Sequence, residues 1–261
     1  MYLKILKPDF YKKYINMKIL VCVTPTPETT AKIAFKDNNT AYDTNGVNYI
    51  MNPYDEWYAL VRGIELKEQF EGSKVTIINV GPASNDSILR KGLAIGADQA
   101  LRVDAEPQSA YFVAAQIAKY AKGFDIVLLG KETIDYNGGE VGGMLAELLD
   151  LPFISYATDI TMEGTVATIS RDIEGGNEIL QVQTPFVASA AKGLAEQRIP
   201  NMRGIMMAKK KPLVARPAAD MKSPVAVSGF TLPDAKGAVT LVDPENMDEL
   251  VRLLHEEAKA I

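Results

Sequence analysis

The chain holds one cysteine, Cys22, and one histidine, His255, among its 261 residues. A single cysteine excludes an intramolecular disulfide framework and fits a reducing compartment. A single histidine, in a terminal helical pattern, leaves almost no material for a zinc site or for Ser-His-Asp machinery. No metal site and no hydrolase machinery are therefore expected. Basic excess is missing too, since the formal net charge is −5; a general nucleic-acid binder needs a basic face. No apolar run approaches the roughly 20 residues that span a bilayer, so no membrane insertion is expected. Residues 1–16 lack the Arg and Ser of a mitochondrial presequence and the apolar core of a secretory one. They read as an N-terminal extension outside the fold, with Met17 as the functional start.

What is present is an α/β pattern. The hydrophobic fraction is 47%, normal for a globule with a sizeable core. Lys18 to Val23, Lys74 to Val80, Ala100 to Val103 and Asp125 to Leu129 read as buried strands. Helical patterns stand between them: one opened by Asn52-Pro53 with Trp57, Leu60, Val61 and Ile64 on its buried face, then Asp86 to Ile95 and Ser109 to Lys122. Asn52 suits an N-cap, Pro53 a first helical position, and Asp55 and Glu56 the positive dipole end. Such alternation specifies a three-layer fold, a mostly parallel sheet with helices on both faces, whose ligands sit beyond the strands' C-terminal ends. Thr24-Pro25-Thr26-Pro27 cannot continue the first strand's ladder, and Lys32 to Asn48 reads as a hairpin around Asp37-Asn38-Asn39.

After Leu151-Pro152 the pattern changes. Thr158 to Met162, Val166 to Arg171 and Ile179 to Thr184 read as hairpin strands, so the sheet acquires antiparallel strands. Ala191 to Met207 has little settled periodicity and carries Leu194, Ile199, Met202 and Ile205. An adaptable Met-rich surface suits a binder of several partners, and plain core cover suits it equally. The domain is bounded at 17–212, and residues 213–261 read as an extended C-terminal arm whose last, amphipathic helix starts at Asp243-Pro244 and either folds back or docks on a partner subunit.

The chemistry concentrates at Gly130 to Gly143. A strand runs into a glycine-bearing loop and then a helix start near Val141, which makes a ready anion site. The loop matches neither Gly-Lys-Ser/Thr nor Gly-x-Gly-x-x-Gly. Taken alone, it fits a nucleotide site and an ordinary glycine-capped loop equally. A stand-alone adenine-nucleotide sensor is a competing reading, but it leaves the Met-rich loop and the arm without a task.

Met-Asn-Pro-Tyr-Asp-Glu at 51–56, Asn-Val-Gly-Pro-Ala at 79–83, Leu-Ala-Ile-Gly-Ala-Asp at 93–98 and Val-Leu-Leu-Gly-Lys-Glu-Thr-Ile-Asp at 127–135 follow one another in order. Ile-Ser-Arg-Asp-Ile-Glu-Gly-Gly-Asn-Glu-Ile-Leu at 169–180 and Met-Met-Ala-Lys-Lys-Lys-Pro at 206–212 complete the set. Together they resemble the beta subunits of the electron-transfer flavoprotein family, from Met17 to the C-terminus. The resemblance implies an electron carrier rather than an enzyme. It implies a heterodimer with an alpha subunit that mainly holds the shared FAD, and an AMP bound structurally in beta. Dehydrogenases would dock on loop 191–207, and a quinone oxidoreductase would take the electrons. It implies an AMP site at Cys22, Asn52, Pro53, Tyr54, Asp55 and Val80. The rest of that site is the loop Gly130, Lys131, Glu132, Thr133, Ile134, Asp135, Tyr136, Asn137, Gly138, Gly139, Glu140 and Val141.

In that reading helix-start and loop N–H groups hold the phosphate, backbone near Cys22 and Val80 reads adenine, and Asp135 pairs with a hydroxyl or a loop N–H. Met202 stands where the family has an anchoring leucine. Asp172 matches an acidic residue near the alpha subunit's mobile flavin domain, and Tyr54 stands where the family places an aromatic near the flavin. The tract from Asp135 to Gly143 lacks the Gly-Asp-Thr-x-Gln-Val-Gly-Pro form of electron-bifurcating relatives, which put a second FAD in place of AMP; AMP is therefore favoured. A bacterial cytoplasmic location is expected ahead of a mitochondrial matrix.

Overall fold

Residues 16–261 are described by the computed structural model, so the N-terminal extension expected at 1–16 lies, up to residue 15, outside the described residues. The first strand, β1 (Lys18–Cys22), alternates two buried faces: Ile19 and Val21 join one apolar cluster, Leu20 and Cys22 the other. Burial on both faces marks a central strand between helix layers. β1 pairs in parallel with β6 (Lys74–Val80) on one side and β8 (Ile126–Gly130) on the other. Between β1 and β6 come three short strands, β2 (Pro25–Pro27), β3 (Phe35–Lys36) and β4 (Ala41–Tyr42), then β5 (Tyr49–Met51) and α1 (Asp55–Gln69).

The chain continues through α2 (Asp86–Ile95), β7 (Gln99–Asp104) and α3 (Ala110–Ala121) to β8, then α4 (Val141–Leu149). β9 (Phe153–Glu163), β10 (Val166–Ile173), β11 (Gly176–Gln183) and β12 (Phe186–Ala190) follow, then α5 (Met202–Ala208), β13 (Leu213–Pro217) and α6 (Met247–Arg252). The nine-stranded sheet runs β11-β10-β9-β12-β8-β1-β6-β7-β13. β10 is antiparallel to both neighbours; the other pairings in this sheet are parallel. The mostly parallel sheet with later antiparallel strands is thus as the pattern specified. Residues of α1 and α2 pack in one cluster and those of α3 and α4 in the other, which gives the three layers.

From β1 the chain moves outward to β6 and β7 on one side, and β8, β12 and β9 lie on the other. The order therefore reverses between β1 and β8. In an open α/β sheet that switch point leaves a crevice beyond the strand ends, because the flanking connections diverge to opposite faces.

Five expectations are corrected. Thr24 to Pro27 does leave the main ladder, yet Pro25–Pro27 forms β2, antiparallel to β5, because an isolated two-stranded ribbon tolerates proline. The helix expected to be capped by Asn52 starts at Asp55, with Tyr54 at the cap position and no side-chain cap bond. Asn52 is instead buried and committed elsewhere. Within 191–207, Met202 opens the short helix α5, capped by Asn201, whose Oδ1 accepts from Gly204 N–H at 2.7 Å. Leu213–Pro217 pairs with Ala100–Asp104 as an edge strand, so the arm begins after Pro217 rather than at 213. The last helix begins at Met247, with Asn246 as its cap, rather than at Asp243-Pro244.

The arm is held to the domain at separate points. Ala219 N–H donates to Gln116 Oε1 at 2.6 Å, and Phe230 stacks on Phe35 with centroids 4.8 Å apart.

Candidate functional site

A cavity of about 330 Å³ opens at the switch point. Its floor comes from the ends of β1 and β6, with Cys22, Val23, Ile78, Asn79 and Val80. One wall is the start of α3 at Ser109 and Ala110; another is the loop after β8, through Thr133, Asp135, Tyr136, Gly138 and Glu140, up to Val141. A smaller cavity, about 60 Å³, shares Cys22, Thr24, Thr133, Gly138 and Val141 and adds Glu56, Gly130, Glu132 and Gly139. The start of α4 faces both, so its free N–H groups and positive dipole end supply the attraction an anion needs. Neither lining contains Lys or Arg among the described residues.

The loop is internally braced. Asn137 N–H donates to Thr133 O at 3.0 Å, Thr133 N–H to Gly138 O at 3.1 Å, and Gly138 N–H to Thr133 Oγ1 at 3.2 Å. Gly138 N–H is therefore used inside the loop, which leaves the α4 start as the anion donor. Asp135 Oδ1 accepts from Tyr136 N–H at 3.1 Å, a loop N–H partner of the kind its charge demands. Lys131 is engaged by Glu132 at 2.5 Å, which, ahead of the opposing desolvation, raises the lysine's pKa and lowers that of Glu132.

Not every residue expected at the site lines a cavity. Asn52, Pro53, Tyr54, Asp55, Lys131, Ile134 and Asn137 lie outside both linings. Their segment acts from behind. Asn52 Nδ2 donates to Glu132 O at 2.9 Å, which fastens the loop to the start of α1. Tyr54 is 54% exposed, whereas Asp55 is buried. Burial raises the Asp55 pKa, against the lowering effect of Lys131.

Behind the small cavity sits Glu56, fully enclosed. Burial pushes its carboxyl up to about 8, against hydrogen bonds from Thr24 that favour ionisation. Burial, with Glu56 second, likewise pushes the Cys22 thiol well above its ordinary range, so Cys22 is a small packed side chain and no nucleophile. Gly130 allows this packing. A Cβ there would come within 3.0 Å of the Glu56 backbone nitrogen and 2.9 Å of its Cγ.

The sequence reading missed Thr24, Thr26, Asn79, Asn85 and Ser109. Asn79 Nδ2 donates to Val23 O at 2.9 Å, and Asn85 Nδ2 to Asn79 Oδ1 at 2.9 Å, so these two amides fix the β1–β6 end of the cavity. Ser109, the cap of α3, was reachable by the rule that helix starts beyond strand ends line the crevice. Thr26 had no such signal. Two buried polar atoms beside the site find no partner in the protein, Thr26 Oγ1 and Asn52 Oδ1. An unsatisfied buried oxygen fits a site that a polar ligand completes.

The loop expected to meet partners lies on the α2 side. Trp57 Nε1 donates to Arg198 O at 3.2 Å, and Gln197 Nε2 to Pro53 O at 2.5 Å. Arg198 pairs with Glu68 through both guanidinium ends, at 2.8 and 3.0 Å. Arg90 caps the far end of α5, donating to Ala208 O at 2.7 Å and Lys211 O at 2.8 Å. Ile199, Met202 and Ile205 are exposed, together with Met206 and Met207. Leu194 is not: it is 3% exposed and packs in the core, which removes it from the partner set. Asp172 lies on β10 rather than a turn, where its Oδ1 accepts from Asn177 Nδ2 at 2.7 Å.

A family model, the electron transfer flavoprotein domain, matches residues 39–221. A protein of Syntrophomonas wolfei named electron transfer flavoprotein subunit beta is 36% identical, over 88% of this chain and 92% of its own. Subunits of the same name from Bacillus subtilis (36% identical, 94% of this chain, 100% of theirs) and Homo sapiens (34%, 92% and 98%) are also similar. With the switch-point crevice, the loop of 130–141 and these matches, the chain belongs to the electron transfer flavoprotein family, among its beta subunits.

Proposed function

We propose that the chain pairs with an alpha subunit as a soluble electron carrier and keeps AMP in the switch-point cavity as a permanent structural ligand. Members of this family carry electrons and are not enzymes in the usual sense; a flavin is implied by the family itself. FAD, held mainly by the alpha subunit, supplies the redox chemistry. This chain's residues supply position: the α4 start takes the phosphate, and the β1 and β6 ends, fixed by Asn79 and Asn85, receive the base. Asn52 holds the phosphate loop against α1. Dehydrogenases dock on the exposed apolar face of 199–207, and a quinone oxidoreductase receives the electrons.

The observation that carries this reading is the cavity's size and lining. At about 330 Å³ it lies near the lower end of small-molecule pockets, roughly 300–1,000 Å³. That suits a mononucleotide better than a second dinucleotide. Among the described residues its lining has no lysine or arginine to serve phosphoryl transfer, which favours a resident ligand over a substrate.

Co-expression with an alpha-type neighbour, followed by release and identification of the bound nucleotides, tests it. A yellow 1:1 complex with one FAD and one AMP is expected. Two flavins and no AMP would place a second FAD in this cavity, and a colourless homodimer that turns over ATP would overturn the whole reading.

A further inference from the structure

Thr26 lies on β2, 1% exposed, among the residues that line the larger cavity, and its hydroxyl oxygen has no hydrogen-bond partner among the described residues. A threonine in an apolar environment would normally turn its hydroxyl to a backbone carbonyl, as Thr158 and Thr161 do here. Valine fills the same volume without leaving an unsatisfied oxygen. Thr26 is thus in the costlier of two arrangements, unless something inside the cavity bonds to it.

Its position selects which part of a ligand it meets. β2 pairs with β5, Thr26 opposite Ile50 and Pro27 opposite Tyr49. Asn52, just after β5, donates from Nδ2 to Glu132 O in the 131–140 loop. Tyr49 senses the same loop: burial, then Tyr42 and Asp135, push its phenol up. β2 is thus tied through β5 to the 131–140 loop, the part of the cavity that the proposed function gives to the phosphate and ribose.

We propose that Thr26 Oγ1 hydrogen-bonds an oxygen of the nucleotide's ribose or phosphate and is a specificity-determining contact of this site. The proposal rests on the adenine-nucleotide reading of the cavity. A hydroxyl both donates and accepts, so it serves either oxygen. Among the described residues no cationic side chain lines the cavity, and the contact is neutral, so it favours the position of an oxygen without adding charge.

The test uses the heterodimer freed of its nucleotide and reloaded, with AMP affinity and thermal stability measured for wild type, Thr26→Val and Thr26→Ser. Thr26→Val should weaken AMP about three- to tenfold, the worth of one neutral hydrogen bond, while Thr26→Ser stays near wild type. The same Thr26→Val protein, free of nucleotide, should be at least as stable as wild type, because the orphan oxygen is gone. A purely structural residue would move stability and affinity down together. Unchanged or tighter AMP binding by Thr26→Val overturns the proposal, and so does a stability loss in the nucleotide-free form that matches the affinity loss.

The deoxy analogues and adenosine name the partner oxygen. If the penalty of Thr26→Val vanishes with 2′-deoxy- or 3′-deoxy-AMP, the partner is that ribose hydroxyl; if it vanishes with adenosine alone, it is the phosphate. An equal penalty with every analogue overturns the assignment to ribose or phosphate. Failure of wild type to bind any adenine nucleotide would instead strike the reading beneath, with Thr26 playing no part in the result.

Discussion

Glu56 grips Thr24 at two points: Thr24 N–H lies 2.6 Å from Oε2 and the Thr24 hydroxyl 2.7 Å from Oε1. The pair joins the first turn of α1 to the segment leaving β1, and both residues line the smaller cavity. A carboxyl so deep, pushed up to about 8, is largely protonated at neutral pH. Its Oε2 accepts the Thr24 backbone N–H in either protonation state. A carboxylate here would face any phosphate held at the start of α4. Protonation keeps this wall of the cavity neutral.

The first prediction follows from the sign of that shift. Between pH about 4.5 and about 8 the folded chain keeps a proton on Glu56 that the unfolded chain has released. Stability therefore falls as pH rises through this window, by at most about 1.4 kcal/mol per unit for one proton, and levels off above it. Glu56→Gln is the neutral isostere of the protonated acid, with a C=O to accept the Thr24 N–H. The variant should match wild type near pH 5 and exceed it near pH 9. Denaturation midpoints across that range check it; parallel pH profiles for the two proteins would refute a neutral Glu56.

Gly130 ends β8 against that same helix start. Gly130→Ala would bring its Cβ to 3.0 Å from a backbone nitrogen and 3.1 Å from Asp55 Cβ, neither of which can swing aside. Overpacking of this kind costs about 1–3 kcal/mol. In a domain this size that is a drop in Tm of about 2–4 °C for each kcal/mol. A calorimetric scan measures it, with lower nucleotide retention expected alongside.

Asn52 stood out in the sequence as a helix cap, and its structural task is a different one. Asn-Pro reads as a helix cap, but the helix starts at Asp55 and Asn52 turns its amide to Glu132 O. Cap signals are local, whereas that bond spans a long stretch of chain, and one sequence shows no such distance. The same limit explains Thr26 and β13. Two prolines mask a strand whose ladder is a short ribbon, and a lysine run followed by Pro212 hides an edge strand. β1, β6, β8 and the start of α4 were legible because their evidence is periodic and contiguous: buried runs that stop at proline or glycine, then an apolar helical stripe. From those four elements the switch point and the crevice follow by topology alone.

Asn52→Ala removes the clamp between the loop and α1. Glu132 O then loses the Asn52 donor, and the loop is held to α1 less firmly. Loss of a buried bond costs about 1–3 kcal/mol when it strands a partner. The prediction is about a tenfold or greater fall in AMP affinity with FAD content unchanged, read by nucleotide release and by absorbance. An equal loss of both cofactors would mean that the substitution unfolds the subunit.

Leu194 and Met202 lie in the same segment and should answer oppositely to substitution. Leu194 is 3% exposed and Met202 75%. Leu194→Ala empties core volume and should cost about 2–5 kcal/mol of stability. Met202→Glu adds a charge to an exposed helix start whose side chain touches no core cluster, so stability should change by less than about 0.5 kcal/mol. The Met202 variant should keep its AMP and FAD while electron transfer from a dehydrogenase weakens, seen as a raised KM for the carrier with dye reduction unaffected. An exposed methionine on a braced helix suits an apolar pocket on a partner, and a glutamate there must be desolvated to enter it. If KM stays at the wild-type value, the docking contact lies elsewhere on the face formed by Ile199, Ile205 and Met206.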